Sequence, residues 1–486
     1  MISLFKRPLM RSFLPYIVLL LFMMVVRPPV MEAQKIDAAE SLIVIGQIIF
    51  EGNRQTKERI IRRELLFREG DTLSLEKFNE LLEKSRENLL NTSLFNFVYA
   101  GITSSADSAR QLNVVFTFTE RWYVWPWPII EFADRNFNTW WNENRDLSRM
   151  SYGVALRWEN FRGRKETLEW TARFGYNELY GLQYTIPYLN KKETLGITVG
   201  GSYGRTREVP VMNADNRQVY YKNDDEYVLQ AMVFHLDLIY RKRIHNTHRL
   251  KLEYDQRNYA DTIITINPGF IPGGGNRLQY FTLVYLFKSD FRNYKPYPLS
   301  GHYFDVEVVK RGLGFPGNDI VDEFYVQSAF RKYFVLALRW YHATGLNARF
   351  TNGSQRPYFM DRAIGYGRDL VRGYEYYVMN GNNFGILKNN LKFALIPENS
   401  FKMNFIRTEK FSKVHYAFYL NAFFDIGYVD QMYPRPELNN SLENTLLAGY
   451  GLGIDFVTYY DMVFRFEYSF NIISEHGFFL HFMAPI

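Results

Sequence analysis

The sequence predicts a mainly β protein: a transmembrane antiparallel β-barrel of about 16 strands preceded by a small α+β domain of βααββ order. Three observations carry this. From Trp122 to the C-terminus, segments of about ten residues alternate in hydropathy and are separated by polar turns. Aromatic residues make up 17% of the chain, with 36 Tyr and 41 Phe, which suits Phe facing lipid and Tyr or Trp at the two water interfaces. Beyond the N-terminal segment, no stretch of about 18 apolar residues is present that would cross a bilayer as a helix.

Residues 1–33 read as a signal peptide. Lys6, Arg7 and Arg11 form a basic start, Phe13 to Val26 is almost wholly apolar, Arg27-Pro28-Pro29 breaks the run, and Ala33-Gln34 offers a cleavage site. An N-terminal membrane anchor is the competing reading. Cysteine is absent, which excludes a disulfide framework, a thiolate metal site and lipid attachment at an N-terminal Cys. The net charge of +7 is spread along the chain and interleaved with acids, without a Lys/Arg block, which speaks against a nucleic-acid partner.

Residues 34–121 form the small domain. Ile43 to Glu51 reads as a strand, closed by Gly52-Asn53. Thr56 is the expected N-cap of a helix through Leu66, with Ile60, Ile61, Leu65 and Leu66 at helical spacing. Ser74 caps a second helix through about Leu90, with Phe78, Leu81, Leu82 and Leu89 on one face. Phe95 to Ile102 and Leu112 to Thr119 follow as strands, the latter with Val114, Phe116 and Phe118 alternating against Val115, Thr117 and Thr119.

Residues 122–486 supply the barrel. Tyr152, Val154, Leu156 and Trp158 share one face of their segment, with Arg157 and Glu159 on the other. Leu168, Trp170, Ala172, Phe174 and Tyr176 oppose Glu169, Thr171 and Arg173; Met462, Phe464, Phe466, Tyr468 and Phe470 oppose Arg465, Glu467 and Ser469. Large aromatic faces set against charged ones suit lipid outside and water inside. In lipid every backbone group needs a partner, so the sheet is expected to close. A soluble β-sandwich or propeller is the alternative, and the blade repeats of a propeller are missing. The last strand is expected at Gly477 to Ile486, with Phe478, Leu480, Phe482 and Ala484 on one face.

Motifs turn this architecture into a resemblance. The small domain's element order, with Glu51-Gly52-Asn53, Phe67-Arg68-Glu69-Gly70-Asp71 and Ser93-Leu94-Phe95 at its junctions, resembles a POTRA domain. Gly365-Tyr366-Gly367-Arg368 followed by Val371-Arg372-Gly373-Tyr374 resembles the Val/Ile-Arg-Gly-Phe/Tyr loop signature of the BamA-like superfamily, the bacterial surface antigen family. Downstream, Phe423-Phe424-Asp425-Ile426-Gly427 is similar to that family's Phe-x-Asp-x-Gly strand motif. Upstream, Asp290-Phe291-Arg292 with Tyr297-Pro298-Leu299-Ser300-Gly301 resembles its Asp-x-Arg…Pro-x-x-Gly segment. The three occur in the family's order.

The resemblance implies that Arg372 reaches from the sixth extracellular loop into the lumen and pairs with a strand carboxylate. Alternation independently puts Asp425 on the mixed, lumen-facing set with His415, Ala417, Tyr419, Asn421, Phe423 and Gly427. An Asp facing lipid would cost a few kcal/mol. The expected latch is therefore Val371, Arg372, Gly373 and Tyr374, with Asp425 as lumenal partner, Gly427 leaving room for the loop, and Glu467 as second-choice partner. The resemblance further implies an outer-membrane location with the POTRA-like domain in the periplasm. It implies a role in inserting outer-membrane proteins or exporting polypeptides, client capture by β-augmentation, and a weak seam between first and last strands. Its partners would be outer-membrane lipid and unfolded or nascent clients, with accessory assembly proteins left open. A dedicated two-partner-secretion-like translocator and a passive porin are the alternatives.

Enzyme-like signals are weak. Gly200-Gly201-Ser202-Tyr203-Gly204 matches Gly-x-Ser-x-Gly but sits in strand-like sequence without a following helix. His245 and His248 lack a carboxylate to complete a zinc site. Gly273-Gly274-Gly275 and Gly449-Tyr450-Gly451-Leu452-Gly453 lack the lysine and helix of a phosphate loop. No catalytic residue, metal or cofactor is expected.

Overall fold

The architecture is that of a computed structural model, which describes residues 42–105, 108–132, 140, 145, 147–314, 320–352, 356–404, 406, 409–458 and 460–482. The signal-peptide reading lies outside these residues.

The N-terminal domain runs β1 (Leu42–Glu51), α1 (Glu58–Arg62), β2 (Thr72–Ser74), α2 (Leu75–Leu90), β3 (Phe95–Ser105) and β4 (Ser108–Glu120). Its sheet has the order β2-β1-β4-β3, with β1 parallel to β4 and β3 at one edge. The helices cover one face. Ile45, Ile60, Ile61, Phe67, Phe78, Leu89, Val114, Phe116 and Phe118 bury there together, the inward sets of two strands meeting the apolar stripes of two helices. Ser74 caps α2 by accepting from the Lys77 amide at 3.3 Å. Thr56 does not cap α1: the cap is Lys57, without a side-chain bond, and the helix spans one turn. Thr56 is instead buried, its Oγ1 accepting from Asn160 Nδ2 at 2.9 Å and lying 3.1 Å from the Tyr123 hydroxyl. Tertiary bonding took the hydroxyl that local capping would have used. The short β2 strand is an addition to the expected order.

The barrel wall follows as β5 (Val124–Phe132), β6 (Met150–Phe161), β7 (Glu166–Gly175), β8 (Asn177–Ile186) and β9 (Leu195–Thr206). A hairpin outside the wall, β10 (Glu208–Ala214) and β11 (Arg217–Lys222), leads to β12 (Leu229–Tyr240) and β13 (Asn246–Tyr259). Helix α3 (Asp261–Ile266) precedes β14 (Arg277–Asp290), β15 (Gly301–Arg311), β16 (Glu323–Ala337) and β17 (Trp340–Thr351). A second small hairpin, β18 (Arg362–Ile364) and β19 (Met379–Asn380), precedes β20 (Asn383–Lys402), β21 (Lys413–Asp430), β22 (Leu446–Thr458), β23 (Val463–Asn471) and β24 (His476–His481).

Sixteen of these strands form one antiparallel meander from β5 to β24, each paired with its neighbour along the chain once the two hairpins are set aside. Among the described residues, β5 pairs only with β6 and β24 only with β23, so these two are the ends of the sheet.

Alternation separates two faces. On β21, Ala417, Tyr419, Asn421, Phe423, Asp425, Gly427 and Val429 are buried, while Leu420, Phe424 and Tyr428 are exposed. On β23, Arg465, Glu467, Ser469 and Asn471 are buried and Phe466, Tyr468 and Phe470 exposed. The exposed face is thus the apolar one. That inverts the order of a soluble fold and fits an outer surface solvated by lipid. Tyr176 departs from expectation. Gly175, at φ 96°, ends β7 and turns Tyr176 inward, where its hydroxyl donates to Glu208 at 2.7 Å. The last strand is shorter than expected, and 483–486 lie outside the described residues.

Candidate functional site

In the β17–β20 connection, residues 356–382 fold back into the barrel. Ala363, Ile364, Val371, Tyr374 and Met379 of this loop bury against Phe384, Ile386, Val429 and Leu447 of the wall. The chain turns at Gly365 (φ 92°) and again at Gly373 (φ 90°), where a side chain would be strained. A Cβ on Gly373 would also stand 2.9 Å from the Phe470 carbonyl.

Between these turns Arg372 enters the wall. Its Nε donates to Asp425 Oδ2 at 2.8 Å and its Nη2 to Asp425 Oδ1 at 2.6 Å, a two-pronged pair. The Arg372 amide adds a third bond to Oδ2 at 3.2 Å. Nη1 reaches Glu467 Oε1 at 3.2 Å. All three side chains are fully buried. The guanidinium lies 3.9 Å from the centre of the Phe423 ring, two residues before Asp425 on the same face. Both carboxylates named from the sequence therefore hold Arg372, Asp425 with the larger share.

Glycines in the wall make room for this approach. A Cβ on Gly449 would fall 1.7 Å from the Arg372 carbonyl, and one on Gly427 would fall 2.4 Å from Val371. Gly449 stands opposite Asp425 in the β21–β22 register, so one position supplies the carboxylate and its cross-strand neighbour supplies the gap. Asn471 Nδ2 donates to the Gly373 carbonyl at 2.7 Å, and Glu375 accepts from the Gly373 amide at 2.8 Å. Tyr374 is buried.

A second buried pair extends the network toward the N-terminal domain. Arg465 bonds Asp455 through both Nε and Nη2, the latter at 2.6 Å, and its Nη1 lies 3.6 Å from Glu467 Oε1. Tyr297, in the Pro-x-x-Gly segment, donates to Asp455 Oδ2 at 2.6 Å. Lys388 stands beside Asp425 in register, and His481 Nε2 lies 3.3 Å from Glu467 Oε2. Sequence reading missed Asp455, Tyr297, Lys388 and His481 as members of this cluster. Arg465 shared the inward parity of Glu467, a signal that would have found it.

At the other end, the N-terminal domain sits on the short turns of the wall. Buried Glu64 accepts from Arg241 at 2.7 and 3.0 Å, and Arg241 also bonds the Tyr188 hydroxyl at 2.9 Å. Burial alone would raise the Glu64 carboxyl; the Arg241 and Lys165 charges outweigh it and bring it down to about 2. Arg121 makes a two-pronged pair with Asp461 of the β22–β23 turn at 2.7 and 2.9 Å, and Tyr294 donates to the same carboxylate at 2.7 Å. Asn91 bonds the carbonyls of Arg292 and Asn293, while Arg292 pairs with Asp290 at 2.8 Å, which gives the Asp-x-Arg motif a place beneath the domain. Among the enzyme-like patterns, Gly200 to Gly204 lies inside β9 and Gly449 to Gly453 inside β22.

Two family profiles match the chain: POTRA, described as surface antigen variable number repeat, over residues 43–121, and the Omp85 superfamily domain over residues 160–477. No curated protein sequence matches. Among solved structures, the chain is similar to CdiB from Escherichia coli, at 14% identity and a TM-score of 0.50, covering 91% of this chain and 75% of that one. It is similar also to BamA from Haemophilus ducreyi lacking POTRA domains 1–3, at 17% identity and a TM-score of 0.49, covering 90% and 83%. The Omp85 match takes in most of the chain, including Arg372, Asp425, Glu467, Asp455 and Arg465, and so the chain belongs to the Omp85 superfamily.

Proposed function

We propose that this protein resides in the outer membrane, with its POTRA domain in the periplasm, and assists the insertion of outer-membrane proteins or the export of polypeptides. The observation that carries the reading is the Arg372 loop inside an Omp85 barrel. A passive pore has no use for a loop held in its lumen by a buried arginine. The POTRA domain, seated on the opposite mouth, offers the edge of β3 to an extended client. The mechanism is non-covalent: client capture by backbone pairing, and transfer at the seam between β5 and β24 while the loop keeps the lumen plugged. Outer-membrane lipid and an unfolded polypeptide are then the partners.

Depletion of the protein followed by an inventory of the outer membrane tests this. Loss of many barrels is the expected result. Loss of one exported protein alone assigns dedicated secretion, and an unchanged inventory rejects both. Single-channel recording separates the porin alternative, which requires a large steady conductance, from the small or flickering conductance of a plugged lumen.

A further inference from the structure

A cavity of about 180 Å³ lies between the POTRA domain and the short turns of the wall. The POTRA side supplies Glu64 and the end of α2 around Asn91, and the wall side supplies the β6–β7, β12–β13 and β14–β15 connections. The cavity opens on the inner face of the wall. Ile239, which lines it, shares the face of buried Asp237, opposite exposed Leu238 and Tyr240. Lys288, also in the lining, shares the face of buried Thr282 and Asp290, opposite exposed Leu283 and Tyr285.

The charges around this cavity do not balance. Two carboxylates line it among the described residues, and arginines already hold both. Arg241 takes the two oxygens of Glu64, with Arg63 a further 3.7 Å away, and Arg292 takes the two oxygens of Asp290 at 2.8 Å each. Lys165, Lys288 and Lys295 are cations in excess of these pairs. Among the described residues, Lys165 makes no side-chain hydrogen bond or ion pair. Lys288 stands 4.0 Å from Asp290, and Lys295 gives one bond to the Asn91 carbonyl at 3.3 Å. That last bond has a local cause, since α2 closes at Leu90 and its free carbonyls attract a cation. The same cause does not reach Lys165 or Lys288. His245 adds no charge: its Nδ1 lies 2.8 Å from the Asp290 carbonyl, and burial pushes its pKa down. The crowding shows at Lys165. Burial, reinforced by Arg241, Lys295 and Arg63 against the pull of Glu64, brings its pKa down to about 7.

We propose that this cavity binds a tetrahedral oxyanion of the phosphate class, held by Lys165, Lys288 and Lys295 beneath the POTRA domain. Four cations and two carboxylates line the space, so the surplus is two charges, which a dianion matches and a chloride does not. The volume accommodates such a group together with some water, each water taking about 30 Å³. Lysines suit it as point charges on flexible stems. The ligand is a solute of the lumen rather than a lipid headgroup, because the cavity faces inward and the bilayer lies across the wall. Bound there, it quenches the repulsion among the lysines under the POTRA domain. The site stands on charge and geometry and does not depend on the assembly reading above.

Calorimetric titration of the full chain in non-ionic detergent, at an ionic strength fixed with sodium chloride, tests this. Sulfate is the first probe, because its charge stays constant over the pH range used, and inorganic phosphate is the second. One saturable site is expected, with phosphate competing for it. Sulfate affinity should fall about tenfold as pH rises from about 6 to about 9, since the protonated form of Lys165 is the one that binds. Lys165→Met should weaken binding about tenfold and flatten the pH profile, whereas Lys288→Met should weaken binding and keep the fall with pH. Heat-modifiable gel mobility checks folding, and Lys288→Met decides alone if Lys165→Met does not fold. Absence of saturable binding overturns the proposal, and so does an affinity that neither substitution changes. The titration is repeated in phosphatidylcholine and in phosphatidylglycerol vesicles. Sulfate binding that survives in the first and vanishes in the second would mean that a lipid headgroup fills the cavity, and would overturn the lumenal site.

Discussion

Two arginine–carboxylate clusters anchor the lumenal loop and the POTRA domain, and they differ in how far water reaches them. The lumenal cluster joins Arg372 to Asp425 and Glu467, all fully buried, with glycine gaps cut for the loop backbone. The POTRA cluster joins Glu64 to Arg241 and Arg121 to Asp461, with Asp461 and Arg241 partly exposed at the turns. A fully dehydrated guanidinium has no alternative partner, so the loop is fixed. A partly wetted one can exchange its carboxylate for water at modest cost, so the domain is held but releasable.

Breaking the lumenal cluster should have the largest effect. Arg372→Ala leaves Asp425 buried without its paired guanidinium, while Glu467 keeps Arg465 and His481 nearby; the cost is about 3–5 kcal/mol. Residues 356–382 should become sensitive to protease, and conductance should rise. Asp425→Ala should do the same, and the double variant should be little worse than either single one. Strictly additive effects would count against the direct contact.

The POTRA cluster sharpens the contrast. Glu64→Ala strands Arg241 at the interface, at about 2–4 kcal/mol. Spin labels at Lys77→Cys and Lys242→Cys, introduced into a chain without native cysteine, should report a broader distance distribution. Acid should mimic the mutation. The carboxyl is held down to about 2 in the docked state against an ordinary 4.5. Its stabilisation is therefore complete above about 4.5 and is lost as pH falls toward 2. Docking that is insensitive to pH across that window would remove Glu64 from the latch.

Gly449→Ala probes the gap rather than the charge. The added methyl meets the Arg372 carbonyl at 1.7 Å, and both belong to backbones that must shift. The expected cost is about 1–3 kcal/mol, read as partial protease sensitivity of the same loop with the POTRA distances unchanged. Movement of the POTRA labels would mean that the two clusters are coupled.

The clusters also differ in how far the sequence disclosed them. Asp425 and Glu467 were legible because strand alternation has a strict period of two, which assigns each wall residue a side; Arg372 came from the resemblance of Val371-Arg372-Gly373-Tyr374 to a family loop signature. The 16-strand wall followed from the same alternation. Glu64 and Arg241 are 177 residues apart and share no period. Glu64 lies just beyond a one-turn helix and Arg241 in a turn, and only the seating of one domain on the other brings them together. Thr56 shows the same limit in miniature: its local signal was a helix cap, and Tyr123 and Asn160 claimed it across the fold. Tyr176 kept its strand parity until Gly175 broke the strand.

Tyr294→Phe should give the smallest effect and the clearest comparison. The lost hydroxyl donates to Asp461 at 2.7 Å, but Asp461 keeps both bonds from Arg121 and a longer one from Ser93 at 3.4 Å. Removing one neutral donor from a carboxylate still paired and partly hydrated costs about 0.5–1.5 kcal/mol. The POTRA distance distribution should broaden slightly, the loop should stay protease-resistant, and Arg121→Ala should exceed the effect clearly. A Tyr294→Phe effect as large as that of Arg121→Ala would mean that Asp461 is desolvated by the tyrosine ring rather than held by the arginine. The POTRA anchor would then be a dry latch of the lumenal kind, and the difference between the two ends would disappear.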